Sequence, residues 1–431
     1  MKKLFFLSLV FIISCQYNTK NQKDYSDNFN HKNIEMCRYN DYPINMFLIK
    51  DNIIGYNKRY KKESLSENKE ILSVFKKLTT NKNLDILHFA AVGDILPHGM
   101  VKKTALLGKK GVEDFDYLFR ETKDDIKKAD IAFGNLETPF YPTTKEMAYK
   151  SIPYKFNIPI KMLKTLKKVG FDILNIANNH LYDQGVKGIV TTVKELKKEG
   201  FLFSGAGRNY NEATKPIIFT KKGIKIGLIS FTTWINNDKN KYDPLNPNKT
   251  LKKRPYLNKY IPKETKKLVK KLKKEVDFVI VSMHWGHEYH KDPSFEQKKK
   301  VKLLFKAGAD LILGHHPHVL QKTIYRADKK AVIYSMGNFV SNQFFIVRSR
   351  HKRNKFANRE GVIWNIDIKK DKKSTKIIKL EQIPLYLQKE ELKPKKENNY
   401  RIYIHKLEKK EKEYKSIYKF LKPKVDKKVK K

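Results

Sequence analysis

From residue 85 onward, short apolar runs alternate with longer stretches of helical spacing. Residues 86–92, 131–133, 172–176, 201–203, 217–219, 225–231, 278–283, 310–313 and 332–334 predict strands. Residues 115–128, 158–169, 186–199, 264–274 and 295–306 carry apolar positions three and four apart and predict helices. Segments 361–368 and 376–385 alternate apolar and polar positions and close the pattern with two more strands. Strand and helix in alternation read as an α/β fold with mixed sheet edges.

The polar residues are distributed unevenly over this pattern. Gly93-Asp94 follows the first strand, and Gly134-Asn135-Leu136-Glu137 the second. Ala177-Asn178-Asn179-His180 follows the third, and His284-Trp285-Gly286-His287-Glu288 follows 278–283. Gly314-His315-His316-Pro317-His318 follows 310–313, and Ser335-Met336-Gly337-Asn338-Phe339 follows 332–334. Six polar clusters at six strand ends converge on one rim of a sheet, the edge at which α/β folds bind ligands.

The residues at that rim suit a metal. Asp94 and Glu137 supply carboxylates, Asn179 an amide oxygen, and His284, His316 and His318 imidazoles. Pro317 favours an extended backbone at His316, so two imidazoles can face one ion. Such a mixed nitrogen and oxygen set fits Mn, Zn or Fe(II) better than Ca or Mg. One or two such ions can make a hydroxide at neutral pH and clamp a carbonyl or phosphoryl oxygen. His180 is placed to protonate a leaving group, with Asp183 to orient it. Each residue also has a structural role open to it: Asp94 in a turn, Asn179 as a helix cap, His284 as core.

Outside this region the pattern changes. Residues 1–15 carry Lys2 and Lys3, an apolar run too short to span a bilayer, and Ile12-Ile13-Ser14-Cys15. This resembles a bacterial lipobox, which implies cleavage before Cys15, lipidation of its thiol and attachment to a membrane surface. Cys37 is then the one remaining cysteine, so no internal disulfide forms in the lipidated chain. Residues 16–84 read as a polar tether and a small extension, with helical spacing at 64–78. Residues 391–431 are rich in Lys and Glu and read as a solvated helical tail.

The formal net charge of +47 could point to nucleic acid, anionic lipid or a polyanion. It is carried by 81 Lys against 11 Arg, spread along the whole chain. That spread is a compositional habit rather than a code, and no nucleic-acid motif occurs. The exception is a local run, Arg348, Arg350, His351, Lys352 and Arg353, where forked guanidinium groups suit a carboxylate or phosphate.

Taken in order, the six clusters, with Asn178-Asn179-His180-Leu181-Tyr182-Asp183-Gln184-Gly185 written out in full, resemble the motif set of the CapA family. These are the poly-γ-glutamate capsule synthesis proteins, related to calcineurin-like metallophosphoesterases. The resemblance covers about residues 85–385, within a domain drawn at 85–390, and implies a four-layer α/β/β/α sandwich with a metal site at the sheet edges. It also implies a membrane-attached protein of the bacterial cell envelope, facing away from the cytoplasm. Three positions depart from the superfamily pattern. Leu96 stands where Asp-x-His has its histidine, and His98 is out of register. Gly134-Asn135-Leu136-Glu137 replaces Gly-Asp-x-x-Asp, and Ser341-Asn342-Gln343 lacks the usual Asp.

The expected function is therefore a metal-dependent hydrolase or transferase acting on an anionic envelope polymer such as poly-γ-glutamate, alongside membrane synthase or export partners. Asp94, Glu137, Asn179, His284, His316 and His318 would hold one or two divalent ions. Asn135, Glu288, Asn338, Arg348, Arg350 and Arg353 would contact substrate. A non-catalytic polymer-binding subunit and a phosphoesterase on small phosphorylated substrates are the alternatives.

Overall fold

The computed structural model describes residues 37–39, 42–44, 86–107, 114–141, 156–236, 256–344, 357–372, 374–392 and 400–426. The chain divides into two units, Met1–Asn81 and Lys82–Lys431. In the first, strands Cys37–Tyr39 and Tyr42–Ile44 pair antiparallel. Cys15, the 64–78 segment and the 348–353 basic run lie outside the described residues. No helix among the described residues is long and apolar enough to cross a membrane.

The second unit is built on two sheets. In the first, β1 (Ile86–Ile95), β2 (Ile131–Leu136), β3 (Ile173–Asn175) and β4 (Leu202–Ser204) run parallel in that order. In the second, β5 (Ile217–Lys221) pairs antiparallel with β6 (Ile224–Thr232). There β6, β7 (Phe278–His284), β8 (Leu311–His315) and, after the antiparallel strand β9 (Thr323–Arg326), β10 (Ala331–Ile333) are parallel neighbours. β11 (Asn338–Val340) crosses back to lie beside β1. β12 (Glu360–Lys370) and β13 (Thr375–Glu391) extend the first sheet antiparallel on the other side of β1.

Alternation along the strands sorts side chains into three cores. Leu87, Phe89, Ala91 and Phe133 point inward to meet Ile226, Leu228, Phe278, Ile280, Leu311 and Leu313 of the other sheet. Ala90, Val92 and Leu174 point outward to Leu163 and Leu166 of α1 (Ile160–Val169) and Ile189 and Val193 of α2 (Gly185–Lys198). Ile229, Val279, Val281 and Ile312 point outward to Val269 of α3 (Pro262–Glu275) and Leu304 of α4 (Phe295–Ala307). Helix, sheet, sheet and helix are the four layers expected, and strands covered on both faces account for the continuous apolar runs.

Two segments differ from expectation. Residues 115–128 form a 3-10 turn, Asp116–Phe119, and then a short helix, Lys123–Lys127, because Thr122 interrupts the apolar stripe of Phe115, Leu118 and Phe119. Residues 400–426 are not a solvated tail. β14 (Tyr400–Lys406) adds to the first sheet and β15 (Lys424–Asp426) to the second. Between them α5 (Lys412–Leu421) buries Ile417 and Leu421 in the core between the sheets.

Candidate metal centre

Parallel strands of both sheets deliver their C-terminal ends to one place. β1 brings Asp94, whose backbone N–H donates to Gly337 O at 2.9 Å. That approach requires glycine at 93, since a Cβ there would stand 2.0 Å from Gly337 O. The β1–β2 register shifts between Ala91 and Asp94, which sets Asp94 opposite Asn135. β7 ends on His284, and β8 runs into His315, His316 and His318. Gly314 has the same role as Gly93, because a Cβ there would meet Tyr334 O at 2.0 Å. His316 (φ 95°) and His318 (φ 54°) hold left-handed backbone, a cost of about 1–3 kcal/mol each that surrounding structure must offset.

The predicted donors meet. Asp94, Glu137, Asn179 and His284 are fully buried, and His316 and His318 are 1% exposed. His284 Nε2 lies 2.7 Å from Asn179 Oδ1 and 3.4 Å from Glu137 Oε1. His318 Nδ1 is 3.1 Å from Asp94 Oδ2, and its Nε2 is 3.7 Å from Glu137 Oε1. Two groups with metal-ligand spacing result, Glu137–His284–His316 and Asp94–Glu137–His318.

The electrostatics suit a cation. Burial raises Glu137, and the charge of Asp94 raises it further, well above the usual carboxylate range. Burial also works to raise Asp94, yet His315 and His318 beside it hold it well below that range. Burial lowers His284 far, and lowers His316 to about 3, so both are neutral imidazoles, the form that binds metal. Glu137 Oε1 and His316 Nδ1 are buried with no hydrogen-bond partner. Buried polar atoms are normally satisfied. A divalent cation supplies what both of these lack, so the donor set fits one.

Two residues expected at the substrate brace the donors instead. Asn135, fully buried, donates from Nδ2 to Asp94 Oδ1 at 2.8 Å and Glu137 Oε2 at 3.2 Å. Its own Oδ1 accepts from Asn175 Nδ2 at 2.7 Å. Asn338 places Oδ1 3.0 Å from His318 Nδ1 and donates to Asn358 O at 2.8 Å and Gln343 Oε1 at 2.9 Å. Both are enclosed by protein, with their amides turned toward the donors. Glu288 remains exposed at the rim, and Arg348, Arg350 and Arg353 lie outside the described residues.

Beside the cluster, His180 Nδ1 sits 2.8 Å from Asp183 Oδ2, which also accepts from Phe156 N. The Phe156 ring covers His180, with centroids 4.4 Å apart, and lies tilted against His98 at 5.0 Å. Asn236 was not expected. Its backbone N–H donates to Asn179 O at 3.0 Å, and its Nδ2 lies 3.4 Å from His180 Nε2. Leu96 is buried and gives no donor. A cavity of about 330 Å³ adjoins His316, lined by Trp234, His287, Glu288, Gln297 and Lys300.

The sequence matches the family described as bacterial capsule synthesis protein PGA_cap over residues 88–343. The chain belongs to the PGA_cap family. Every donor just described falls within the PGA_cap match. The chain is 32% identical over 266 residues to the capsule biosynthesis protein CapA of Bacillus anthracis, covering 60% of each chain. It is 34% identical over 262 residues to the PGA biosynthesis protein CapA of Bacillus subtilis, covering 60% of this chain and 64% of that one. It thus spans less than two thirds of the length of these PGA_cap relatives. The calcineurin-like phosphoesterase YfkN of Bacillus subtilis superposes with a TM-score of 0.40 at 14% identity, over 69% of this chain and 90% of that one. The layer order given above rests on this chain's own sheets and cores.

Proposed function

We propose that the chain is a metal-dependent hydrolase or transferase of capsule biosynthesis, acting on an anionic envelope polymer of the poly-γ-glutamate class. The observation that carries this reading is the buried set of six donors in which Glu137 Oε1 and His316 Nδ1 lack partners. Asp94, Glu137, Asn179, His284, His316 and His318 would hold a divalent Mn, Zn or Fe ion, which would supply Lewis-acid activation of water and of a carbonyl oxygen. His180 is the proton carrier. Asp183 takes the hydrogen bond from Nδ1–H, which leaves Nε2 to accept a proton and return it to the leaving group. Phe156 over the ring keeps water from that face, and Asn236 steadies both His180 and Asn179.

The polymer class rests on the names of the relatives and on the basic run at 348–353. Attachment to the envelope rests on the lipobox at Cys15, with membrane synthase or export proteins as partners. The test is digestion of poly-γ-glutamate by the full chain with Mn, followed by size-exclusion chromatography. Chain shortening that is lost in His180→Ala, with metal content and fold unchanged, supports the reading. Polymer left intact but still bound after chelation of the metal contradicts it and favours a polymer-holding accessory, the reading to which Leu96 lends weight.

A further inference from the structure

The two groups of donors are unequal. Glu137, His284 and His316 have Asn179 beside them as a fourth, through the 2.7 Å approach of its Oδ1 to His284 Nε2. Asp94, Glu137 and His318 have His315 beside them instead, its Nδ1 3.5 Å from Asp94 Oδ1, while Leu96, two residues beyond Asp94, is apolar and buried, and Asn338 is committed to orienting His318. A third group crosses between them, made of Glu288, His316 and His318, with ligand atoms within 4.8 Å of one another.

Glu288 differs from every other member. It is exposed, and it stands in the wall of the cavity beside His316. Its loop leaves β7 through Gly286 (φ 90°), and Tyr289 (φ 62°) is pinned by its N–H to Pro317 O at 2.8 Å. This ties the Glu288 loop to the His316–His318 turn.

Resting on the metal-dependent reading above, we propose that Glu288 is a metal ligand, the rim carboxylate that holds a divalent cation together with His316 and His318. One carboxylate with two imidazoles is a mixed oxygen and nitrogen set that suits Mn²⁺. Because Glu288 also walls the cavity, a cation bound there fixes one side of the space next to His316.

The experiment is titration of the metal-stripped full chain, in detergent, with Mn²⁺, followed by calorimetry and electron paramagnetic resonance. Wild type is compared with Glu288→Gln after both give matching circular dichroism. Wild type is expected to bind two Mn²⁺ with an exchange-coupled spectrum. Glu288→Gln is expected to weaken one of the two by about tenfold or more and to show the six-line signal of an isolated ion. Two sites of unchanged affinity and an unchanged spectrum in Glu288→Gln overturn the proposal. A single site, identical in both proteins, also overturns it while leaving the metal-dependent reading intact. A wild type that takes up no Mn²⁺ overturns both.

Discussion

The two sheets contribute different chemistry to one centre. The first, through β1, β2 and β3, brings oxygen: Asp94, Glu137 and Asn179. The second, through β7 and β8, brings nitrogen: His284, His316 and His318. Neither half has a mixed donor set alone. The site is therefore a product of the core between the sheets, where Phe89 and Phe133 meet Phe278, Ile280, Leu311 and Leu313. Hydrophobic burial, which has no direction, brings the halves together. The close approaches at Gly93 and Gly314 and the hydrogen bonds of Asn135 and Asn338 then set the angles.

The contrast breaks most directly at the shared core. Phe133 is fully buried, packs against Phe89 at 6.3 Å and touches His315 at 5.8 Å between ring centres. Phe133→Ala is expected to cost about 3–5 kcal/mol in urea unfolding. A loss under about 1 kcal/mol would mean that the sheets are joined by something else. The bracing amides sharpen the contrast further, one on each kind of donor. Asn135→Ala removes the support of the carboxylates and Asn338→Ala that of the His318 imidazole. Each is expected to weaken metal binding about 10–100-fold, read by calorimetry, with the fold retained. Unchanged affinity in both would show that the donors are held by their own packing.

The smallest effect lies at the outer edge of the first sheet. On β14, His405 sits 2.8 Å from Glu121 and 3.1 Å from Glu411. Burial works to lower its pKa, but the two carboxylates outweigh it and raise the value above the usual 6.5. A raised folded pKa stabilises below about pH 6.5 and loses that contribution as pH climbs through the folded value. The group is partly exposed, so the effect is under about 1 kcal/mol. His405→Gln should destabilise more at pH 5.5 than at pH 8.5 in urea unfolding. An equal loss at both would remove charge from the account.

Much of this was legible in the sequence, for a physical reason. Strands buried on both faces leave continuous apolar runs, and a rim site puts polar residues where those runs stop, so Asp94, Asn179 and His316 stood out. What was illegible depended on direction or on distant partners. Asn135 and Asn338 looked like rim residues, but their side chains turn inward to other donors. Asn236 lies 56 residues from His180 along the chain, and nothing local marks it. In residues 400–426, the lysines and glutamates on the exposed faces hid the alternation of Ile402 with Ile404 and the buried Ile417 and Leu421. A Lys-rich composition conceals amphipathic elements that contribute only a few apolar residues each.

The most direct test is the metal content of the full chain by elemental analysis, beside a His316→Ala, His318→Ala double variant with matching circular dichroism. Stoichiometric Mn, Zn or Fe in the wild type and none in the variant is the predicted result, since removing two imidazoles leaves the oxygen half of the site without its complement. A wild type that stays metal-free after incubation with these ions, or a variant that keeps its metal, would contradict the account.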